Sequence, residues 1–182
     1  MAYARIRRRR AEALTNYKKR IALLKGNIPR LVARKTNRNI ILQIIDYKVE
    51  GDKVIASVNS KELKTIGWSP RSNIPTAYLS GMLLAKKAKS LSISKLVLDM
   101  GLARPSKFNV LFAAAKGCLD SGINVISNIE FDENRLSGKH IANYAKGIGK
   151  EATQFSRYYK ENFDPKQIDL LFEQAKGRIR SG

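Results

Sequence analysis

Apolar positions along the chain change their period several times, and each change marks an element. Ala11, Leu14, Tyr17, Ile21 and Leu24 recur three or four residues apart, which predicts a helix from about Arg10 to Leu24. Its charged face carries Lys18, Lys19 and Lys25, Gly26 stops it, and Pro29 opens the next element. Arg30 to Lys35 is strand-like. Thr36 to Asn39 is a turn of short polar side chains. Ile40 to Ile45 is a near-continuous β-branched run, which predicts a strand buried on both faces. After a turn at Glu50-Gly51-Asp52, alternation resumes from Lys53 to Asn59, with Val54, Ala56 and Val58 on one face. Three strands joined by two short turns make an antiparallel meander.

The period then becomes helical. Asn73 is placed to cap and Pro75 sits near the first helical position. Ala77, Tyr78, Met82, Ala85 and Ala88 form one stripe, with Lys86, Lys87 and Lys89 at the end where cations suit the helix dipole. A short strand follows at Lys95 to Asp99, a helix from Ser106 to Ser121 closed by Gly122, and a last strand at Ile123 to Ile126. The order β-β-β-α-β-α-β implies parallel pairing through right-handed crossovers. It predicts an α/β protein with a mixed five-stranded sheet and helices on both faces. Beyond Glu130 only helical signals remain: residues 151–163, then Asp164-Pro165-Lys166-Gln167, which resembles a capping box, leading into the stripe Ile168, Leu171, Phe172, Ala175 and Ile179. The chain divides into an N-terminal arm and helix (1–28), an α/β core (29–129) and a helical C-terminal extension (130–182).

Charge gives the arm its meaning. The 182 residues carry a formal charge of +20, from 35 bases and 15 acids. Residues 1–38 hold thirteen of those bases and one acid, Glu12. Such an excess repels itself in a compact monomer and calls for a polyanionic partner. Arginine, with its planar fork, grips phosphate in pairs and stacks on bases. One cysteine, Cys118, and one histidine, His140, exclude a disulfide framework, a Cys-rich zinc site and a multi-His metal site. No run approaches the ~20 apolar residues of a membrane span, and no apolar segment follows the N-terminal charges as in a secretory signal. An intracellular, reducing compartment is expected.

The predicted element order is also that of the ribonuclease H-like fold, whose nucleases converge several acids on two metal ions. Here the first strand carries Arg34 and Lys35 and no acid, and Asp46 and Asp99 read as turn or cap residues. An RNA-processing nuclease is therefore the alternative rather than the leading reading. Gly147-Ile148-Gly149-Lys150-Glu151-Ala152 imitates a dinucleotide fingerprint but lacks the preceding strand. Cys118, among Ala114, Ala115 and Leu119, reads as a buried small hydrophobe. Trp68 is a candidate base-stacking residue, with closure of the core beneath a loop as the equal alternative. The constellation that stands out is basic residues interleaved with aromatics and a polar turn. It comprises Arg5, Arg7, Arg8, Arg9 and Arg10; Tyr17, Lys18, Lys19, Arg20 and Lys25; Arg30, Arg34 and Lys35; and Thr36, Asn37, Arg38 and Asn39. Aromatics among bases suit RNA, whose unpaired bases stack and whose 2′-hydroxyls offer polar contacts. Duplex DNA calls for a recognition helix that the pattern does not contain.

These residues resemble a known family. Asn16-Tyr17-Lys18-Lys19-Arg20, Leu23-Leu24-Lys25 and Pro29 through Ile40 look like the opening of the 5S-rRNA-binding protein of the large ribosomal subunit, numbered eighteen in the bacterial scheme. Gly67-Trp68, Asn73 to Gly81, Val97 to Leu102, Phe112 to Gly117 and Asp120-Ser121-Gly122 match its archaeal and eukaryotic branch, in the right order, over roughly residues 10–146. The resemblance implies a ribonuclease H-like sheet without catalytic acids, metal or cofactor. It also implies binding to 5S rRNA and large-subunit rRNA in the central protuberance of the cytoplasmic ribosome, beside neighbouring ribosomal proteins, with no membrane or DNA partner. In that family the arm and first sheet region contact RNA, which carries over to Arg5 through Arg10, Tyr17 to Arg20 and Arg34 to Asn39.

Overall fold

The computed structural model describes Ile6 and residues 8–127, 129–148 and 153–181. Two short helices open the chain, α1 (Arg8–Ala11) and α2 (Tyr17–Leu24). The single helix predicted from Arg10 to Leu24 is broken because Ala13 turns left-handed, at φ +52°, and the Asn16 side chain accepts from the Lys19 amide to start a new helix. The meander follows as predicted, with β1 (Arg30–Lys35), β2 (Ile40–Tyr47) and β3 (Asp52–Asn59). A 3-10 segment, Ser60–Ile66, leads to α3 (Ile74–Ser90), which Asn73 caps by accepting from the Thr76 amide. Then come β4 (Lys95–Asp99), α4 (Val110–Asp120) and β5 (Asn124–Ile126). The fourth helix begins later than Ser106 because Phe108 is left-handed and Asn109 supplies the cap, accepting from the Leu111 amide. Among the described residues four α-helices follow: α5 (Glu133–Ser137), α6 (Lys139–Gly147), α7 (Ser156–Lys160) and α8 (Ile168–Ser181). Residues 149–152 of the fingerprint lie outside the described residues, and helix α6, not a strand, precedes them.

The five strands form one mixed sheet in the order β3-β2-β1-β4-β5. Strand β1 is antiparallel to β2, from Arg30↔Ile45 to Lys35↔Ile40, and parallel to β4, with Val32 level with Asp99. Both crossovers, β3 to β4 and β4 to β5, step in the same direction along the sheet. Two right-handed crossovers with the same step put both helices on the same side. Helices flank both faces as expected, but unequally: α3 and α4 share one, while among the described residues the opposite face meets the short α2, tied down through Arg20 and Lys19. The prediction that β2 is buried on both faces falls for the same reason. Ile40, Leu42 and Ile44 are fully buried under the helices, while Ile41, Gln43 and Ile45 are half-buried on the open side. Each of those three inward side chains contributes roughly 1.5–3 kcal/mol on burial. A one-residue slip of β2 would turn all of them outward, so register is strongly held.

Helices α3 and α4 pack unusually close. A β-carbon added to Gly81 would stand 2.0 Å from the Ala114 carbonyl oxygen, and one on Gly117 would stand 2.2 Å from that of Tyr78. Cys118 lies at this contact, fully buried, its thiol donating to the Gly81 carbonyl at 3.2 Å. Burial pushes that thiol up to about 12, so it is the inert hydrophobe its neighbours in sequence suggest. The C-terminal helices add a third layer outside α3, burying Phe163, Ile168, Phe172, Ala175 and Ile179.

A polar clasp fastens this third layer. Glu161 accepts from the Ser69 hydroxyl and from Arg71 at 3.0 Å. Arg71 also donates to the Arg157 carbonyl at 2.9 Å and lies 4.6 Å from the centre of the Tyr158 ring. The Ser69 hydrogen bond holds the Glu161 carboxyl below its usual range; desolvation opposes it, and the Arg71 hydrogen bond and charge add to it.

Two predictions follow from this packing. Gly81→Ala should destabilise the fold by about 1–3 kcal/mol, read as a lower urea midpoint from the fluorescence of Trp68, the single tryptophan; an unchanged midpoint would contradict the close approach. Because the folded Glu161 carboxyl is depressed, its contribution is complete above the unfolded value of about 4.3 and is lost as pH falls through the folded value. Thermal melts from neutral to acid pH should show a smaller acid loss in Glu161→Gln than in the parent.

Candidate nucleic-acid interface

The pleat of β1 sends Leu31 and Ala33 under the helices and Arg30, Val32 and Arg34 to the open face. Asp99 ends β4 at the level of Val32 and faces the same way. An alternating row of charges results. Arg30 donates to Asp99 at 3.1 Å and forms an ion pair with Asp52 at 2.9 Å without hydrogen-bond alignment. Arg20 of α2 reaches the same Asp52 oxygen at 2.8 Å. At the other end, Arg34 donates to the Asp99 carboxylate at 3.3 Å, to the Asp99 carbonyl at 2.8 Å and to the Ala33 carbonyl at 2.9 Å. The row runs Arg20, Asp52, Arg30, Asp99, Arg34, and joins the first helix pair to three strands.

Its members differ in exposure. Arg30 is 3% exposed, so it is corrected from an RNA-contact candidate to the buried centre of the row. The Arg34 side chain remains 45% exposed, its guanidinium fixed against the bare Cα of Gly101, which is left-handed at φ +63°. A side chain at Gly101 would strain the backbone and crowd Arg34. Lys19 donates to the Gly101 carbonyl at 3.1 Å, tying α2 to the loop after β4.

The remaining candidates divide by whether they already have partners. Arg8 pairs with Glu12 at 3.2 Å and Arg9 donates to the Thr15 hydroxyl at 3.0 Å, both at the surface. Arg10, Lys18, Lys25, Lys35 and Arg38 are exposed and have no side-chain partner among the described residues. Tyr17 is half-buried at the start of α2. In the turn, the Thr36 hydroxyl donates to the Asn39 carbonyl and accepts from the Asn39 amide, both at 2.9 Å, so Thr36 shapes the turn and leaves Asn37 and Arg38 at its tip. Arg5 and Arg7 lie outside the described residues.

Trp68 is corrected from a stacking residue to a core residue. It is 2% exposed, donates its indole N–H to Thr76 at 2.9 Å, and meets the rings of Phe163 and Phe172 edge-on at 5.3 and 6.2 Å. No ring face is left for a base. Nothing near Trp68 in sequence signals this, because both phenylalanines come from the C-terminal layer. Sequence reasoning also missed Asp52 and Asp99 as positioning groups; the available signal was an acid at the first position of one strand and at the last position of another, in a sheet whose arginine-bearing strand carries none.

The same row bears on the nuclease alternative. Asp99 is already held by two guanidiniums and by the Gly101 amide at 2.8 Å, and Asp46 stands apart beside Lys48 at 3.5 Å. Among the described residues no group of three or more acid, histidine or cysteine side chains is arranged to hold a metal ion. The arrangement offers fixed and unpaired cations beside a polar turn, which is chemistry for binding a phosphate backbone.

Residues 2–96 match the family described as "Ribosomal large subunit proteins 60S L5, and 50S L18", and the chain belongs to this family. It is thus a structural protein of the large ribosomal subunit, part of the cytoplasmic translation machinery. Among its relatives, the "Large ribosomal subunit protein uL18" of Korarchaeum cryptofilum (strain OPF8) is 46% identical over 178 residues, covering 94% of this chain and 91% of the relative.

Asp99→Asn should leave Arg30 buried with one misaligned carboxylate. Breaking such a pair typically removes about 3–5 kcal/mol. Urea unfolding should show that loss, whereas Asp46→Asn, at an exposed pair, should change stability by less than about 1 kcal/mol. Equal effects would contradict the central role of the row.

Proposed function

We propose that this protein binds 5S rRNA and anchors it to large-subunit rRNA in the central protuberance, without catalysis or cofactor. Family membership supports the ribosomal setting. The observation that carries the RNA reading is the concentration of unpaired cations on the arm, α2 and the β1–β2 turn, beside two arginines held in place by carboxylates. Arg10, Lys18, Lys25, Lys35 and Arg38 neutralise phosphates, together with Arg5, Arg7, Arg8 and Arg9 of the arm. Lys19, Arg20 and Arg34 present pre-positioned donors, Asn37 and Asn39 offer hydrogen bonds to sugar and phosphate, and Tyr17 is the remaining candidate for stacking. The C-terminal helical layer contacts neighbouring ribosomal proteins.

Filter binding to 5S rRNA, with tRNA and duplex DNA as competitors across a salt series, tests this. Neutralising half a dozen phosphates predicts an affinity loss on the order of 10³ between about 50 and about 200 mM salt. Arg38→Ala should weaken binding and lower the salt slope by about one. Equal competition by all three nucleic acids, or affinity indifferent to salt, would refute the assignment.

A further inference from the structure

Strands β1 and β4 are parallel neighbours whose chains leave in opposite directions along the sheet, β1 towards β2 and β4 through α4 towards β5. In open sheets such a divergence leaves a crevice outside the carboxyl ends of the strands. Here the first two helices close over that position, tied down by the bond from Lys19 to Gly101. They enclose a crevice of about 410 Å³. The size lies within the range of ~300–1,000 Å³ that small-ligand sites occupy.

The lining is divided by chemistry. Arg9, Arg34 and Lys35 bring positive charge, and the acid in the wall, Asp99, is already taken by Arg30 and Arg34. The apolar part contains Leu14 and Leu102, which are 52% and 60% exposed. Exposed leucines facing a cationic crevice fit a ligand with an anionic end and a flat apolar body. An RNA nucleotide has that form. RNA-binding proteins commonly take unpaired bases out of the stack and hold them against side chains, and an already unpaired base loses least by being splayed out. Lys35, where β1 enters the β1–β2 turn, lines the crevice, so a backbone bound along that turn passes its rim.

We propose that the crevice between the first helix pair and the ends of β1 and β4 receives a single splayed-out nucleotide of the bound RNA. Its phosphate lies on Lys35 and the open edge of Arg34, and its base lies between Leu14 and Leu102. This deepens the RNA-binding reading and rests on it. The crevice then gives the protein a means of recognising one unpaired position, which the exposed cations alone cannot supply.

Leu102→Ser removes an exposed apolar contact and no charge. It should weaken binding to 5S rRNA about tenfold, the order expected for one base contact, with an unchanged salt slope, while binding to duplex DNA stays as in the parent. Lys35→Gln should lower the slope by about one. A second measurement replaces Leu102 with photoreactive benzoylphenylalanine and maps crosslinks to 5S rRNA by primer extension. One dominant stop at an unpaired nucleotide supports the proposal. Parental affinity in Leu102→Ser, or stops scattered over paired regions, overturns it and leaves the RNA-binding reading standing. Labelled nucleoside monophosphates crosslinking as strongly as RNA would overturn the assignment of the occupant to the bound RNA. Failure of the parent protein to bind 5S rRNA would instead remove the reading on which both rest.

Discussion

A guanidinium out of water is tolerable only beside carboxylates, and Arg30 has two. Asp99 comes from the neighbouring parallel strand and Asp52 from the far side of the meander. Desolvating a charge is expensive unless geometry returns the loss, so a buried row of this kind adds modest net stability while penalising its own disruption. That asymmetry gives the row its structural consequence. Strands β3 and β4 must both hold position for Arg30 to be satisfied, and helix α2 joins the row through Arg20 on Asp52. The two outer arginines inherit that order. Arg34 is held along one edge by Asp99 and flat against Gly101, and Arg20 is held by Asp52. A preset fork loses less side-chain freedom on meeting a phosphate than a freely rotating one.

The direction of the two crossovers decides where such a row can exist. Because both step the same way along the sheet, α3 and α4 cover one face together, and their close contact at Gly81 and Gly117 leaves that side dry. The C-terminal helices then cover α3 and enclose Trp68. The opposite face receives no long helix and keeps its charges. A basic arm beside an open sheet face, with Trp68, Phe163 and Phe172 packed on the other side of the molecule, separates the cationic surface from the layers that hold the fold. That separation lets a chain with a formal charge of +20 keep an apolar core.

How much of this is legible in the sequence depends on whether the information is local. The strands of the meander, α3 with its Asn73 cap, and the stripe of α8 follow from period and capping, which need only near neighbours. Local signals also compete. The apolar period runs on through Ala13 and Thr15, yet Asn16 caps a separate helix, and capping chemistry overrides the stripe. Which face a helix covers is not local at all, and the expectation of cover on both faces of β2 failed for that reason.

The candidate interface shows the same division more sharply. The sequence by itself determined that the N-terminal fifth of the chain is cationic, that an arginine-bearing strand follows it, and that no cluster of acids accompanies that strand. It did not distinguish Arg30 from Arg38, although one is buried between carboxylates and the other stands at the tip of a turn. It left Trp68 equally suited to a base or to a core, and Phe163 and Phe172, some hundred residues further along, decided between them. Periodicity encodes the face on which a side chain lies. What stands opposite that face is set by chain segments distant in sequence, and for a charged or aromatic side chain the neighbour determines the role.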